Sequence, residues 1–294
     1  MGGEMRELAL GAVLAVTASA LFSAGLVLQS LEARTVPAEH SLRLSLIARL
    51  LGRRRWVLGG VLMVVGFAFH VGALLLAPLT LVQPSLAAGL LVLLVVGARS
   101  GTEPIRAREI LAVAAISLGV LGLTLTGPER TTVTAGALAL ALGLGALGAV
   151  ALLPHALSVL DRRHRRAGSL VATIGAGAAY SLTGLTTKLI SDRIDAGDWL
   201  GGVFWLAITI AGATLALVDQ TTALQRRGAT QVGVIIYVMP VVVPVALAPL
   251  LVGEDWGSSA GLLALCVAAV CAGAGSLSGS RHVSTLEEAS QVRW

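Results

Sequence analysis

Charge is what this chain has least of. Asp, Glu, Lys and Arg make up 13% of its 294 residues, where a water-soluble domain carries about a quarter. A soluble core protein is a poor fit, because the apolar runs repeatedly reach the length that crosses a bilayer. Aromatic residues are also scarce, at 4%. There are two cysteines, Cys266 and Cys271, both inside one apolar segment. That placement suits packing and gives neither a disulfide framework nor a zinc site. No phosphate-binding P-loop, zinc motif or serine nucleophile elbow is present. The sequence therefore points away from an enzyme and from any bound cofactor or metal, and the energy for any transport must come from a gradient or a partner. The net charge of +5 sits in short loops without interleaved aromatics. It orients the chain in a membrane more readily than it binds nucleic acid.

What is there in abundance is apolar sequence: 56% hydrophobic residues and a mean hydropathy of +0.87. "VTASA", ending at Ala20, resembles a signal-peptide cleavage site. Yet "MGGEMRE" has no net positive side-chain charge, and the apolar run continues to Leu28, so a retained first helix is expected. A helix needs about 20 apolar residues to span. By that rule nine spans are expected, at 8–29, 56–77, 81–98, 109–126, 134–154, 169–190, 200–221, 231–251 and 259–279. The segment 41–51, "SLRLSLIARLL", is too short and too basic to span and reads as an amphipathic element along the interface.

The basic residues alternate with the loops. Seventeen of the 21 Lys and Arg fall on one side, including Arg34, Arg43, Arg49 and Arg53 to Arg55 after span one and "DRRHRR" after span five. Arg6, Arg130, Lys188 and Arg193 fall on the other. The positive-inside rule then gives a multi-pass protein of the plasma or inner membrane, with its N-terminus outside and its C-terminus cytoplasmic.

The halves share a pattern. "LVQPSLAAGLLVLLVVGARSGTEP" and "TQVGVIIYVMPVVVPVALAPLLVGEDW" each open a helix after a short polar link and close on a glycine–acid pairing, Gly101 with Glu103 and Gly253 with Glu254. "FSAGLVLQ" and "YSLTGLTTK" correspond earlier in each half, Gly25/Gln29 against Gly184/Lys188. The expected fold is therefore an all-α polytopic membrane protein of about nine transmembrane helices. It divides into a first four-helix repeat (1–130), a linking span five with its basic loop (131–168), a second repeat (169–280) and a cytoplasmic tail (281–294). Four spans plus a linking one place the second repeat upside down relative to the first, as in many secondary transporters. Generic helix–loop–helix similarity is the competing explanation.

On these residues, above all "ALLLAPLTLVQPSLAAGLLVLLVVGARSGTEP", the chain resembles the drug/metabolite transporter superfamily. The nine-span layout, "SAGLVLQ" in the first helix and the basic link to span two resemble its NIPA-type magnesium transporter branch most. The resemblance implies the inverted-repeat fold and a transport role, through small-residue motifs that carry no catalytic group. It also implies an acidic residue in span two, where "VVGFAFHVG" has none; that departure weighs against a magnesium cargo.

Polar groups at membrane depth are costly and commonly face a cavity or a partner. His70 lies past the middle of span two, as a substrate contact, a titrating group or a hydrogen-bonded core imidazole. Asp219 and Gln220 close span seven; Asp219 either couples to a proton or cationic substrate, or is an interfacial carboxylate that is simply wet or bonded to Arg226 or Arg227. Gln83 opens span three beside Pro84, as a path-lining amide or as helix glue. Pro240 and Pro244 are expected to break span eight. Tyr180 and Tyr237 are the only tyrosines and suit an organic ligand, with an interfacial anchor as the alternative. Lys188 reads as a snorkelling residue, and the glycine–acid pairs as structural turns.

Three functions compete. The first is a secondary transporter of a small organic solute, a metabolite or drug, by alternating access; export and proton coupling both suit it. The second is a magnesium or divalent-cation transporter, disfavoured because Mg²⁺ needs hard oxygen ligands and the spans offer Asp219 alone. The third is a membrane scaffold or a subunit handling lipid-linked molecules. Expected partners are the solute, membrane lipids with anionic headgroups at the basic loops, and a second copy as a homodimer.

Overall fold

The computed structural model describes residues 2–76, 107–126, 136–160, 165–251 and 260–278. Among the described residues the chain is all-helical, with nine α-helices and one 3₁₀ turn at Ala38–His40. The helices are α1 (Gly2–Ala33), α2 (Leu44–Leu51), α3 (Arg54–Leu76), α4 (Ala107–Thr126) and α5 (Ala137–Leu160). They continue with α6 (Arg165–Asp195), α7 (Trp199–Leu224), α8 (Ala229–Leu251) and α9 (Ala260–Ser278). Span three, with Gln83 and Pro84, lies outside the described residues; each of the other eight expected spans overlaps a helix among the described residues.

Four stretches are long and apolar enough to cross a membrane by length and composition: Arg6–Ala33, Arg54–Ala73, Leu138–Val159 and Trp199–Leu224. Three shorter apolar helices lie at Ile110–Gly122, Ala229–Pro240 and Gly261–Ser276. This is a multi-pass membrane protein. Its outer surface agrees, since Val64, Phe67, Leu138, Leu200 and Val203 are exposed on α3, α5 and α7. Contiguous apolar surface of this kind is rare on soluble monomers. The long helix α6 does not join the apolar four. Ser169, Thr173, Ser181 and Thr186 are buried along it. Three of these hydroxyls donate to carbonyls one turn back, Thr173 to Ser169, Ser181 to Gly177 and Thr186 to Leu182, at 2.8 to 3.0 Å. A helix carrying that much polarity is the one a bilayer protein keeps inside.

Small residues set the helix pairs. Without a hydrophobic force between helices in lipid, close backbone approach supplies the packing. α1 packs most extensively on α3, α6 on α7, and α4 on α9. At the first pair, a Cβ on Gly25 would stand 2.6 Å from the Gly59 carbonyl oxygen, and one on Gly59 would stand 2.7 Å from that of Gly25. At the third, a Cβ on Gly273 would meet the Ala112 carbonyl oxygen at 2.6 Å and one on Gly119 that of Cys266 at 2.8 Å. The α6–α7 connection is a tight turn. Gly197 takes φ +77°, and its N–H reaches the Ile194 carbonyl at 2.9 Å while that of Asp198 reaches Arg193 at 2.8 Å, the bond pattern of a glycine-ended helix. Asp198 then caps α7, accepting from the Gly201 N–H at 2.9 Å and from Arg193 at 3.0 Å.

The core joins α1, α4, α6, α7, α8 and α9 through Leu26, Ile116, Ala176, Leu224, Val234 and Val270 among others. α8 touches α1, α4, α5, α6, α7 and α9. The interfacial element appears as α2, where Leu46 and Leu50, one turn apart, are buried against Val36 and Trp56. The expected break at Pro240 and Pro244 is corrected: α8 runs as one helix from Ala229 to Leu251. Each proline lacks an N–H and so frees one carbonyl, that of Ile236 or that of Pro240. Membrane helices tolerate this where neighbours and local adjustment take up the freed group.

Candidate functional site

The polar residues of the spans gather where α1, α5, α6 and α7 meet. Gln220, fully buried, is near the end of α7. Its Oε1 accepts from the Tyr180 hydroxyl of α6 at 2.7 Å, and its Nε2 donates to Oε1 of Gln29 on α1 at 2.9 Å. This chain of three side chains crosses helices 191 residues apart in sequence. It exists because each helix places one long polar side chain on its inner face at the same depth, and a buried amide without partners would cost about 1–3 kcal/mol. Tyr237 of α8 packs on the same core as Tyr180, its hydroxyl buried without a hydrogen-bond partner among the described residues.

Asp219 sits beside this seam and is 0% exposed. Of the two readings of Asp219, the interfacial one, either wet or bonded to Arg226 or Arg227, is corrected: the helix continues to Leu224 and carries Asp219 inside. Neither carboxylate oxygen has a hydrogen-bond partner among the described residues. Its neighbour is His155 of α5, with Nδ1 at 3.6 Å from Oδ1. That is ion-pair distance when the imidazole is protonated and beyond a hydrogen bond. Gly175 of α6 makes the approach possible. A Cβ there would stand 2.7 Å from Asp219 Oδ2 and 2.6 Å from Pro154 Cγ.

A cavity of about 950 Å³ opens next to this pair. Pro37, Arg43, His155, Ser158, Thr222 and Arg226 are among the residues that line it. Its size is that of a pocket for a small organic molecule. One wall is the loop after α1, which is pinned to the end of α7. The Ser41 hydroxyl donates to Gln225 Oε1 at 2.7 Å, Gln225 Nε2 donates to the Val36 carbonyl at 3.1 Å, and the Leu42 N–H reaches Thr222 Oγ1 at 2.9 Å. Arg34 extends the clasp to the Arg227 carbonyl at 3.2 Å, and Arg227 donates to Ser169 at 3.2 Å. Leu42 adopts φ +59°, a left-handed conformation uncommon for a leucine, to make that turn.

Of the expected site residues, Tyr180, Asp219 and Gln220 come together and Tyr237 joins their core. His70 does not join them: it sits half-buried on α3, which packs on α1 and α2, with its ring 6.4 Å from that of Phe67. Pro240 lies on α8, and Pro244 follows one turn later in the same helix. Sequence reasoning missed Gln29 and His155 as site members. Both stand at the edge of an apolar run, Gln29 closing "SAGLVLQ" and His155 following "ALLP". A polar residue at that place is the signal that marks them. Among the described residues no three His, Cys, Asp or Glu side chains come together that could hold a metal ion. The clustered groups suit binding and proton exchange. No family model, curated protein or solved structure matches this chain.

Proposed function

We propose that this protein is a secondary transporter of a small organic solute, working by alternating access between two inverted halves. The observation that carries the reading is the polar seam of Gln29, Gln220 and Tyr180, with buried Asp219, set among apolar helices beside a cavity of about 950 Å³. Ionisable groups inside a membrane are costly, and they commonly mark substrate or ion pathways. The likeness to the drug/metabolite transporter superfamily rests on the sequence motifs. The pairing of helices supports the repeat. α1 on α3 and α6 on α7 are corresponding pairs of the two halves, and α4 packs on α9, its own counterpart.

In this reading the N-terminus faces outside and the C-terminus the cytoplasm of a cell's plasma or inner membrane. The cavity then opens to the cytoplasm, because Arg43 and Arg226 of its lining belong to the basic side. A solute entering there meets the imidazole of His155, the hydroxyls of Ser158 and Thr222 and the guanidinium groups of Arg43 and Arg226, with the seam buried behind them.

The test is counterflow in liposomes holding purified protein, with a panel of small amines, amino acids and sugars, and Mg²⁺ in a parallel arm. Exchange of an organic solute that falls in Tyr180→Phe and Gln220→Leu is expected. Mg²⁺ flux with no organic exchange overturns the reading, as does a panel without any flux, which returns the scaffold alternative.

A further inference from the structure

Asp219 poses a problem that binding a solute does not answer. Its carboxylate is fully buried, neither oxygen accepts a hydrogen bond among the described residues, and it does not line the cavity. His155 stands between the two. It lines the cavity, its side chain is 29% exposed, and its Nδ1 is buried with Asp219 Oδ1 at 3.6 Å. One side of this imidazole therefore meets the cavity and the other meets the carboxylate.

We propose that Asp219 is a proton-binding site and that His155 relays protons between it and the cavity. The proton is the one cation that needs no coordination shell. Pro154 and Gly175 leave no room for a larger one, since even a methyl-sized group at Gly175 would stand 2.7 Å from Oδ2. A hydrated or octahedral ion requires several oxygen ligands.

The transfer balances as follows. A hydronium ion in the cavity gives a proton to His155 Nε2. The Nδ1–H passes to Asp219 Oδ1 once the pair closes by about 0.7 Å to hydrogen-bond length. The products are water, a neutral imidazole protonated at Nε2, and a neutral carboxylic acid. Release to the cavity is the reverse. The net change is one charge removed from a buried site, and burial makes such a change energetically large.

The titratable and charged groups on the elements packed against α7 do not replace His155. Tyr180 of α6 spends its hydroxyl on Gln220, and Tyr237 of α8 packs on the core with its hydroxyl bonded to no described residue. α1 presents the neutral Gln29 at the seam, and α2 carries Arg49 at its exposed end. Arg34, Arg226 and Arg227 lie beyond the end of the helix, where Arg34 and Arg227 bond to a carbonyl and a serine. Among the described residues the ion pair with His155 is the one Asp219 makes. Coupling of this proton to solute movement rests on the transport reading; the site and the relay do not.

The experiment is infrared difference spectroscopy of the purified full chain, stepped between roughly pH 5 and pH 9, a window that covers documented buried carboxyls. It follows the C=O stretch of a protonated carboxylic acid and that band's hydrogen–deuterium exchange. Wild type is expected to show a pH-dependent acid band that Asp219→Asn removes and Asp219→Glu moves. His155→Gln is expected to keep the band but slow its exchange by about 10²-fold, the lower range of a lost proton-transfer group. Wild type and Asp219→Asn showing the same pH-dependent acid band between about pH 6 and pH 9, above the range of ordinary carboxyls, overturns the site, as does the lack of any pH-dependent band there in wild type. Unchanged exchange in His155→Gln overturns the relay. No solute is present in this measurement, so its failure leaves the transport reading to the counterflow assay, and the reverse.

Discussion

Replacing Gly59 by alanine probes the contact that holds α1 on α3. The added Cβ would stand 2.7 Å from the Gly25 carbonyl oxygen, about 0.7 Å inside ordinary contact at 3.4 Å, and 3.0 Å from Gln29 Cγ. The first of these neighbours is backbone, so relief requires the two helices to move apart. Gly60→Ala is the matched control. Its Cβ would meet Gln29 Nε2 at 3.9 Å, an ordinary contact. Both variants gain the helix propensity of alanine over glycine, about 1 kcal/mol, so their difference isolates the overpacking. Forcing an extra methyl into a packed interface costs about 1–3 kcal/mol. For a large domain each kcal/mol moves Tm by about 2–4 °C. Gly59→Ala should therefore melt about 2–12 °C below Gly60→Ala in detergent micelles, followed by tryptophan fluorescence. Equal melting temperatures would refute the reasoning that backbone proximity at this crossing sets the helix pair.

Three further outcomes are expected. Tyr180→Phe leaves Gln220 Oε1 buried without its 2.7 Å donor, which should lower unfolding free energy by about 1–3 kcal/mol in a denaturant titration, and Phe should not be rescued by added solute. Gln225→Ala removes both bonds that hold Ser41 and Val36. Amide exchange over residues 36–43 should speed up while α7 itself stays protected, read by mass spectrometry; uniform protection would refute the clasp. At the opposite end, the Gly201 N–H first, and then Arg193, hold the Asp198 carboxyl below the usual aspartate range. Its cap is therefore fully present above about pH 4, the ordinary aspartate value, and is lost as pH falls through the lowered native one. Wild type should lose melting temperature in that acid window, and Asp198→Ala should start lower and lose less.

The membrane class was legible because hydropathy is a local property. Eight of the nine expected spans overlap helices among the described residues, and the interfacial helix α2 stands where "SLRLSLIARLL" placed an amphipathic element. Half of the candidate site was legible. Tyr180, Asp219 and Gln220 stand out as polar residues inside apolar runs; Tyr180 bonds to Gln220, and Asp219, the next residue along α7, faces His155. His70 stands out equally, yet lies on α3 away from the seam, because depth along a helix says nothing of which face turns inward. His155 was hidden for the opposite reason. α5 continues past Pro154 to Leu160, six residues beyond the expected span end at 154. A residue read as loop is thus carried on a helix to Asp219.

What the sequence determined by itself was the solvent this chain folds in. Low charge and apolar runs of spanning length follow from composition and order, and they call for helices in a bilayer. What the tertiary structure alone decided was which scattered polar side chains share one buried place. Gln29 and Gln220 are 191 residues apart, and their 2.9 Å bond depends on helix rotation and on small residues that let helices approach. A linear pattern holds the depth of each residue but not the azimuth of its helix, and the seam is made of azimuth.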